Sequence, residues 1–287
     1  MSSYQREISR DHKACVLFLL DRSHSMAKPL GKSDRAKSEE LALAVNGWLH
    51  NMAIRASSDD GIRDWIDVGV VGYWTDKESQ RPQIATILQP PLDDRALVSI
   101  SDIGNHPARI ETTIQRVVDD ETGETLEVPA DSPVWIDSHA EGSTPMCHVL
   151  RCARSVLEQW IRAHPHSFPP IVIHITDGKS QDGDPLPFAK AVRELATSDG
   201  NVLLFNCHLS SATAEPFLFP SREPHIEDDL AQVLFQMSSE LPDPFVRSAR
   251  ADGMALENGA RGMAFNADMS VLIAFLDMGT RTATTLR

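Results

Sequence analysis

Apolar residues run unbroken from position 14 to position 20, and the run stops at Asp21. A run this short and this rich in bulky side chains predicts a strand buried on both faces. Two further runs resemble it. Residues 171–176 follow Pro169-Pro170 and stop at Asp177, and residues 201–209 follow the turn signal Asp199-Gly200. Between them, residues 33–56, 144–163 and 185–197 place apolar side chains at three- and four-residue spacing, the pattern of amphipathic helices. In the middle stretch Met146, Val149, Leu150, Val156, Leu157, Trp160 and Ile161 cover more than one stripe, which predicts deep packing. Strand and helix in alternation predict an α/β fold, a doubly wound, Rossmann-like and mainly parallel sheet flanked by helices.

The remaining chain is less regular. Residues 65–74, with Val68, Val70 and Val71, predict another strand. Within 78–140 a small helix is expected over 93–102, followed by a β-hairpin of 112–118 with 125–128 around the polar turn at 119–124. This stretch is expected to be an insertion and not a second domain. Toward the end, 228–238 predicts a helix, Leu241-Pro242-Asp243-Pro244 a break, and the apolar run 269–278 a last helix. The expected organisation is a tail over 1–13, a domain over 14–240, and a helical extension over 241–287 that packs on or follows it.

Composition narrows the function. The chain has 287 residues, of which 41% are hydrophobic, enough for a substantial core. A net charge of −14 argues against a nonspecific nucleic-acid or anionic-membrane binder, since such surfaces need clustered Lys and Arg. No stretch approaches the ~20 apolar residues of a membrane span, and 1–13 lacks the apolar centre of a signal peptide, so a cytoplasmic protein is expected. Cys15, Cys147, Cys152 and Cys207 lie in apolar or helical segments without CxxC spacing, which predicts thiols and neither zinc nor disulfides.

The candidate chemistry follows the buried runs. Asp21-Arg22-Ser23-His24-Ser25 succeeds the first, Asp177-Gly178 succeeds the second, and Gly142-Ser143-Thr144-Pro145 opens the helix between them. In an open α/β sheet the carboxyl ends of the strands converge on a crevice, where distant residues meet. Hard cations such as Mg²⁺ take oxygen ligands and retain some water. Asp21, Ser23, Ser25, Thr144 and Asp177 supply such atoms. Each element alone is weak, because Asp and Ser are ordinary turn and cap residues. His24 is expected to face solvent, Asp76 to lie on the surface near the crevice, and Asp182 and Asp184 to form a turn capping the helix after Pro185.

Together these elements resemble the metal-ion-dependent adhesion site of von Willebrand factor A domains, over roughly residues 14–209. By that resemblance Ser23 and Ser25 ligate the metal directly, as does Thr144 in some states, and Asp21 and Asp177 act directly or through water. The resemblance implies Mg²⁺, or Mn²⁺ or Ca²⁺, as cofactor. A cation held mainly by neutral hydroxyls keeps much of its charge and an open position, which Asp or Glu of a partner protein fills. The Thr-Asp-Gly-Lys-Ser-Gln-Asp-Gly-Asp segment is closest to intracellular bacterial members. Those serve as adaptors and are often encoded beside kinases, phosphatases or AAA-type ATPases. In the family the terminal helix shifts with metal ligation; here 228–238 and 269–278 both qualify. His24 departs from the usual glycine between the serines.

The rival readings are a magnesium-dependent phosphotransferase or phosphatase and a scaffold with a vestigial site. Haloacid-dehalogenase-like enzymes need a second carboxylate two positions after the first, where this chain has Ser23. No Gly-x-Ser-x-Gly elbow, Gly-x-Gly-x-x-Gly or Walker loop is present. The expectation is a non-enzymatic module.

Overall fold

In a computed structural model, the structure describes residues 3–118, 125–211, 215–223, 228–251 and 253–280. Its centre is an eight-stranded sheet of β1 (Ala14–Asp21), β2 (Ile66–Thr75), β3 (Pro82–Thr86), β4 (Val98–Ser99), β7 (Ile171–Thr176), β8 (Leu203–Leu209), β9 (Phe217–Leu218) and β10 (Met263–Ala267). The order is β9-β10-β8-β7-β1-β2-β3, with β4 also beside β2. The five central strands run parallel, and β3, β4 and β9 pair antiparallel at the margins. A separate hairpin, β5 (Arg109–Val118) with β6 (Thr125–Val134), stands off the sheet.

Both faces of the sheet are covered. Along β1, Val16, Phe18 and Leu20 join one core with Trp48 and Leu49 of α1 (Lys37–Ala56), Ile100 of α2 (Ile100–Asn105) and Phe275 of α7 (Met269–Gly279). The alternate residues Cys15, Leu17 and Leu19 join the other core with α3 (Met146–Ala163), α4 (Leu186–Arg193) and α5 (Asp229–Met237). The strand period of two thus sends successive side chains into opposite cores, which is why the run reads as continuously apolar. All four cysteines are free thiols. No helix among the described residues is long and apolar enough to cross a membrane.

The segments at both ends of the chain are tied into this body. Backbone N–H groups of Gln5 and Arg6 donate to the Asp199 carboxylate at 3.1 and 3.0 Å. Beyond 240, α6 (Asp243–Ala251) packs Phe245 onto Phe205, and β10 enters the sheet beside β8. On the same face α7 meets α1, where the Trp48 indole N–H donates to Thr280 Oγ1 at 2.9 Å. The segment expected as an extension therefore supplies a strand of the main sheet. Strand β10 is only five residues long, too short for a sequence period to stand out.

Two local expectations are corrected. The small helix begins at Ile100 and not at residue 93, because Ser99 accepts the Asp102 N–H as N-cap while Val98–Ser99 is held in the sheet by β2. The hairpin is longer than expected, pairing Arg109 with Val134 through to Val118 with Thr125; its turn at 119–124 lies outside the described residues. Asn46 of α1 joins this insertion to the body: its carbonyl accepts the N–H of Trp135 and Ile136, and its amide donates to the Ile136 carbonyl.

Candidate functional site

The carboxyl ends of β1 and β7 lie side by side, since Leu20 pairs with Ile175 and each strand ends one residue later. The doubly wound order places the residues that follow them, Asp21 to Ser25 and Asp177, around one crevice. Asp21 is 1% exposed. Its Oδ1 accepts the Ser23 N–H at 2.8 Å and its Oδ2 accepts the Thr176 hydroxyl at 2.6 Å. Ser23 and Ser25 hydroxyls lie 3.0 Å apart, and Ser25 donates to Asp177 Oδ1 at 2.6 Å. Four of the five sequence-named residues thus form one hydrogen-bonded cluster, closed through Thr176.

The fifth arrives on the loop before α3. Thr144 is 3% exposed, and its hydroxyl lies 3.9 Å from where a Cβ on Gly178 would sit. Its carbonyl accepts the N–H of Gln181 at 3.0 Å. The loop is fixed to its neighbours by Glu141 N–H on the Arg22 carbonyl at 2.7 Å, His24 N–H on the Gly142 carbonyl at 3.0 Å, and Ser143 on Thr75 at 2.6 Å between hydroxyls. Gly142 has φ +62°, in the left-handed region that glycine adopts without steric cost.

Some flanking residues have other tasks. The His24 side chain is exposed at the lip of the crevice. Asp76 accepts from the Ser79 N–H and hydroxyl in a surface turn, which holds its carboxyl below the usual range. Asp184 caps α4 through the Leu186 N–H, but Asp182 does not share that role. It caps α3, accepting the N–H groups of Cys147 and His148 and the His148 imidazole.

Besides Thr176, two residues of the site escaped the sequence reading. Lys37, in the first turn of α1, donates to Asp177 Oδ2 at 2.8 Å, and the two side chains are 5% and 0% exposed. A cation at a helix N-terminus opposes the helix dipole, so a buried lysine there signals a carboxylate partner. His208, on β8, lies within the field of Asp177, and burial lowers its imidazole to about 4. Behind the crevice runs a buried polar chain. Tyr73 donates to His174 Nε2 at 2.7 Å, His174 Nδ1 donates to Asn206 Oδ1 at 2.9 Å, and the Asn206 amide donates to Ser238 at 2.9 Å. The Asn206 carbonyl only accepts, which fixes the histidine tautomer.

The donor set is two carboxylates and three hydroxyls, all oxygen, and so matches a hard divalent cation. No group of three or more His, Cys, Asp and Glu suited to a metal occurs among the described residues, so any ion held here relies on the hydroxyls beside the two carboxylates. The Lys37 ammonium against Asp177 shows that the crevice already accommodates positive charge. The residues therefore fit such an ion.

Electrostatics at the site give a pH prediction. Burial, with the nearby Asp177 charge, raises the Asp21 carboxyl from 3.8 to about 6. Its folded-state value lies above the unfolded one, so the stabilisation is full below 3.8 and lost as pH rises through 6. Burial lowers His174 from 6.5 to about 4, so its contribution is full above 6.5 and lost as pH falls toward 4. Each is worth about 3 kcal/mol, and they oppose each other over the same window. Without divalent ions, Asp21→Asn is expected to be more stable than wild type at pH 7.5 by about 1–3 kcal/mol, with a steeper acid loss. Urea titrations from pH 4 to 8 check this; parallel profiles of the two proteins would refute it.

No protein-family model and no curated protein matches the chain. Solved structures do. The pilus adhesin SpaC from Lactobacillus rhamnosus GG matches with TM-score 0.50 and 11% identity, over 98% of this chain and 31% of that one. The PilB minor pilin from Streptococcus sanguinis matches with TM-score 0.49 and 11% identity, over 98% of this chain and 64% of that one. The ArnB paralog VWA2 from Sulfolobus acidocaldarius reaches a TM-score of 0.31 at 14% identity, over 69% of this chain and 35% of that one. The chain thus spans under two thirds of the length of either pilus protein. At such identity the likeness shows a shared fold alone.

The match to the pilus adhesin corrects the family expectation. Identification with von Willebrand factor A domains of the intracellular bacterial type, the adaptor role and the cytoplasmic placement are set aside. The structure that carries this correction is the pilus adhesin, matched over 98% of the chain. The motifs misled for a physical reason. Asp-x-Ser-x-Ser and Thr-Asp-Gly report oxygens at neighbouring strand ends, and that geometry carries no information about compartment or pathway.

Proposed function

We propose that the chain is a non-enzymatic binding domain of a surface-adhesion or pilus protein, with a divalent cation held in the crevice as its point of contact. The fold likeness to the pilus adhesin supports the setting, and the convergence of Asp21, Ser23, Ser25, Thr144 and Asp177 carries the reading of the site. Mg²⁺, Mn²⁺ or Ca²⁺ would be held by these five side chains and would supply an open, electropositive position for a carboxylate of the partner. The protein's part is to exclude water around Asp21 and to fix Ser23 and Ser25 through the Asp21 and Asp177 carboxylates. Ser23, where a phosphatase of the haloacid-dehalogenase type needs its second carboxylate, offers no general acid.

The test is binding of the whole chain to immobilised Glu- and Asp-containing peptides and to their Gln and Asn counterparts, in Mg²⁺ and in EDTA. Retention on the acidic set alone, abolished by EDTA and by Asp21→Ala, is the expected result. Equal retention on both sets, indifferent to EDTA, would overturn the reading, as would turnover of phosphomonoesters lost in Asp21→Ala.

A further inference from the structure

Lys37 deepens this reading and rests on it. Both oxygens of Asp177 are engaged: Ser25 donates to Oδ1 at 2.6 Å, and the Lys37 ammonium donates to Oδ2 at 2.8 Å. The lysine side chain is 5% exposed and that of Asp177 is 0% exposed, so neither charge is satisfied by solvent. The backbone of Lys37 is held as well, its N–H donating to the Lys28 carbonyl at 2.9 Å. The loop that returns from the crevice to α1 therefore delivers a fixed positive charge to the carboxylate that the sequence motif assigns to a metal.

We propose that Lys37 is a metal-affinity determinant of the crevice, a tethered cation that competes with the divalent ion for Asp177. Two positive charges meeting at one carboxylate in a water-poor crevice repel each other far more strongly than in bulk solvent. With Lys37 in place, the divalent ion either displaces the ammonium from Asp177 or binds through Asp21 and the hydroxyls without it. Either route weakens binding. The lysine also holds the ion-free crevice together, because it neutralises one of two neighbouring buried carboxylates. Where the ion displaces the ammonium, the site has two arrangements of positive charge at Asp177: the internal ammonium in one, the divalent ion in the other. Only the second leaves an unfilled ligand position for a partner.

The experiment is calorimetric titration with MgCl₂ and MnCl₂ of wild type, Lys37→Gln, Lys37→Met and Lys37→Arg, alongside Asp21→Ala. Thermal melting with and without each ion gives a second readout. Lys37→Gln keeps a hydrogen-bond donor near Asp177, so it holds the test open if the methionine variant does not fold. The expected result is at least about tenfold tighter binding in Lys37→Gln, a larger ion-induced rise in melting temperature, and wild-type behaviour in Lys37→Arg. Equal or weaker ion binding in Lys37→Gln, with wild type binding and Asp21→Ala not, would overturn the role of Lys37 and leave the crevice standing. Absence of binding in wild type and in both neutral variants would overturn the crevice reading and this inference together.

Discussion

Replacing Gly142 with alanine is expected to lower stability by several kcal/mol and to abolish divalent-ion binding. The residue sits at φ +62°, and a Cβ there would lie 1.7 Å from the Thr75 carbonyl oxygen and 2.7 Å from its carbon. Both are backbone atoms of β2, a strand of the central sheet, so neither yields as a flexible side chain would. The loop must move instead. That motion breaks the Glu141–Arg22, His24–Gly142 and Ser143–Thr75 hydrogen bonds that seat Thr144 over Gly178. Left-handed strain of about 1 kcal/mol adds to overpacking of about 1–3 kcal/mol and to the lost hydrogen bonds. Denaturant unfolding with Mg²⁺ titration checks it; a variant within 1 kcal/mol of wild type that still binds the ion would show that the loop has more room than the geometry allows.

Asp177→Ala is expected to cost about 3–5 kcal/mol, through the partner it abandons. The substitution strands the Lys37 ammonium at 5% exposure with its carboxylate gone. Removing one member of a buried pair is expensive, whereas replacing both with apolar groups of similar shape is often nearly neutral. The double variant Lys37→Met/Asp177→Leu should therefore recover most of the stability lost in Asp177→Ala and still fail to bind the ion. A double-mutant cycle by urea unfolding measures the coupling. If the losses simply added, the two side chains would not be energetically paired.

The parts of this molecule visible in the sequence are those whose signal is local. The runs ending at Asp21 and Asp177 mark strands buried on both faces, and Met146 to Ile161 marks a helix packed deeply; each follows from a period that neighbouring residues share. The same runs locate the oxygens of Asp21, Ser23, Ser25 and Asp177 at the strand ends, and the Gly-Ser-Thr-Pro turn that opens a helix marks Thr144. What stayed hidden is relational. Lys37 reads as one charge on the polar face of a helix until α1 is docked and Asp177 stands 2.8 Å away. His174 reads as a member of an apolar run, because its partners Tyr73 and Asn206 come from two other strands. Strand β10 is specified by the open edge of β8 and not by any pattern of its own. The setting of the protein was the least legible of all, since motif geometry is indifferent to compartment.

The central claim is that five oxygens from three loops hold a divalent ion. Its most direct measurement is isothermal titration of the ion-stripped chain with Mg²⁺, in wild type, Asp21→Ala and Thr144→Ala. The account predicts saturable binding of a single ion by wild type, and a loss of at least about tenfold in affinity in each variant. Heats that are negligible in all three proteins, or saturable and equal in all three, would contradict it.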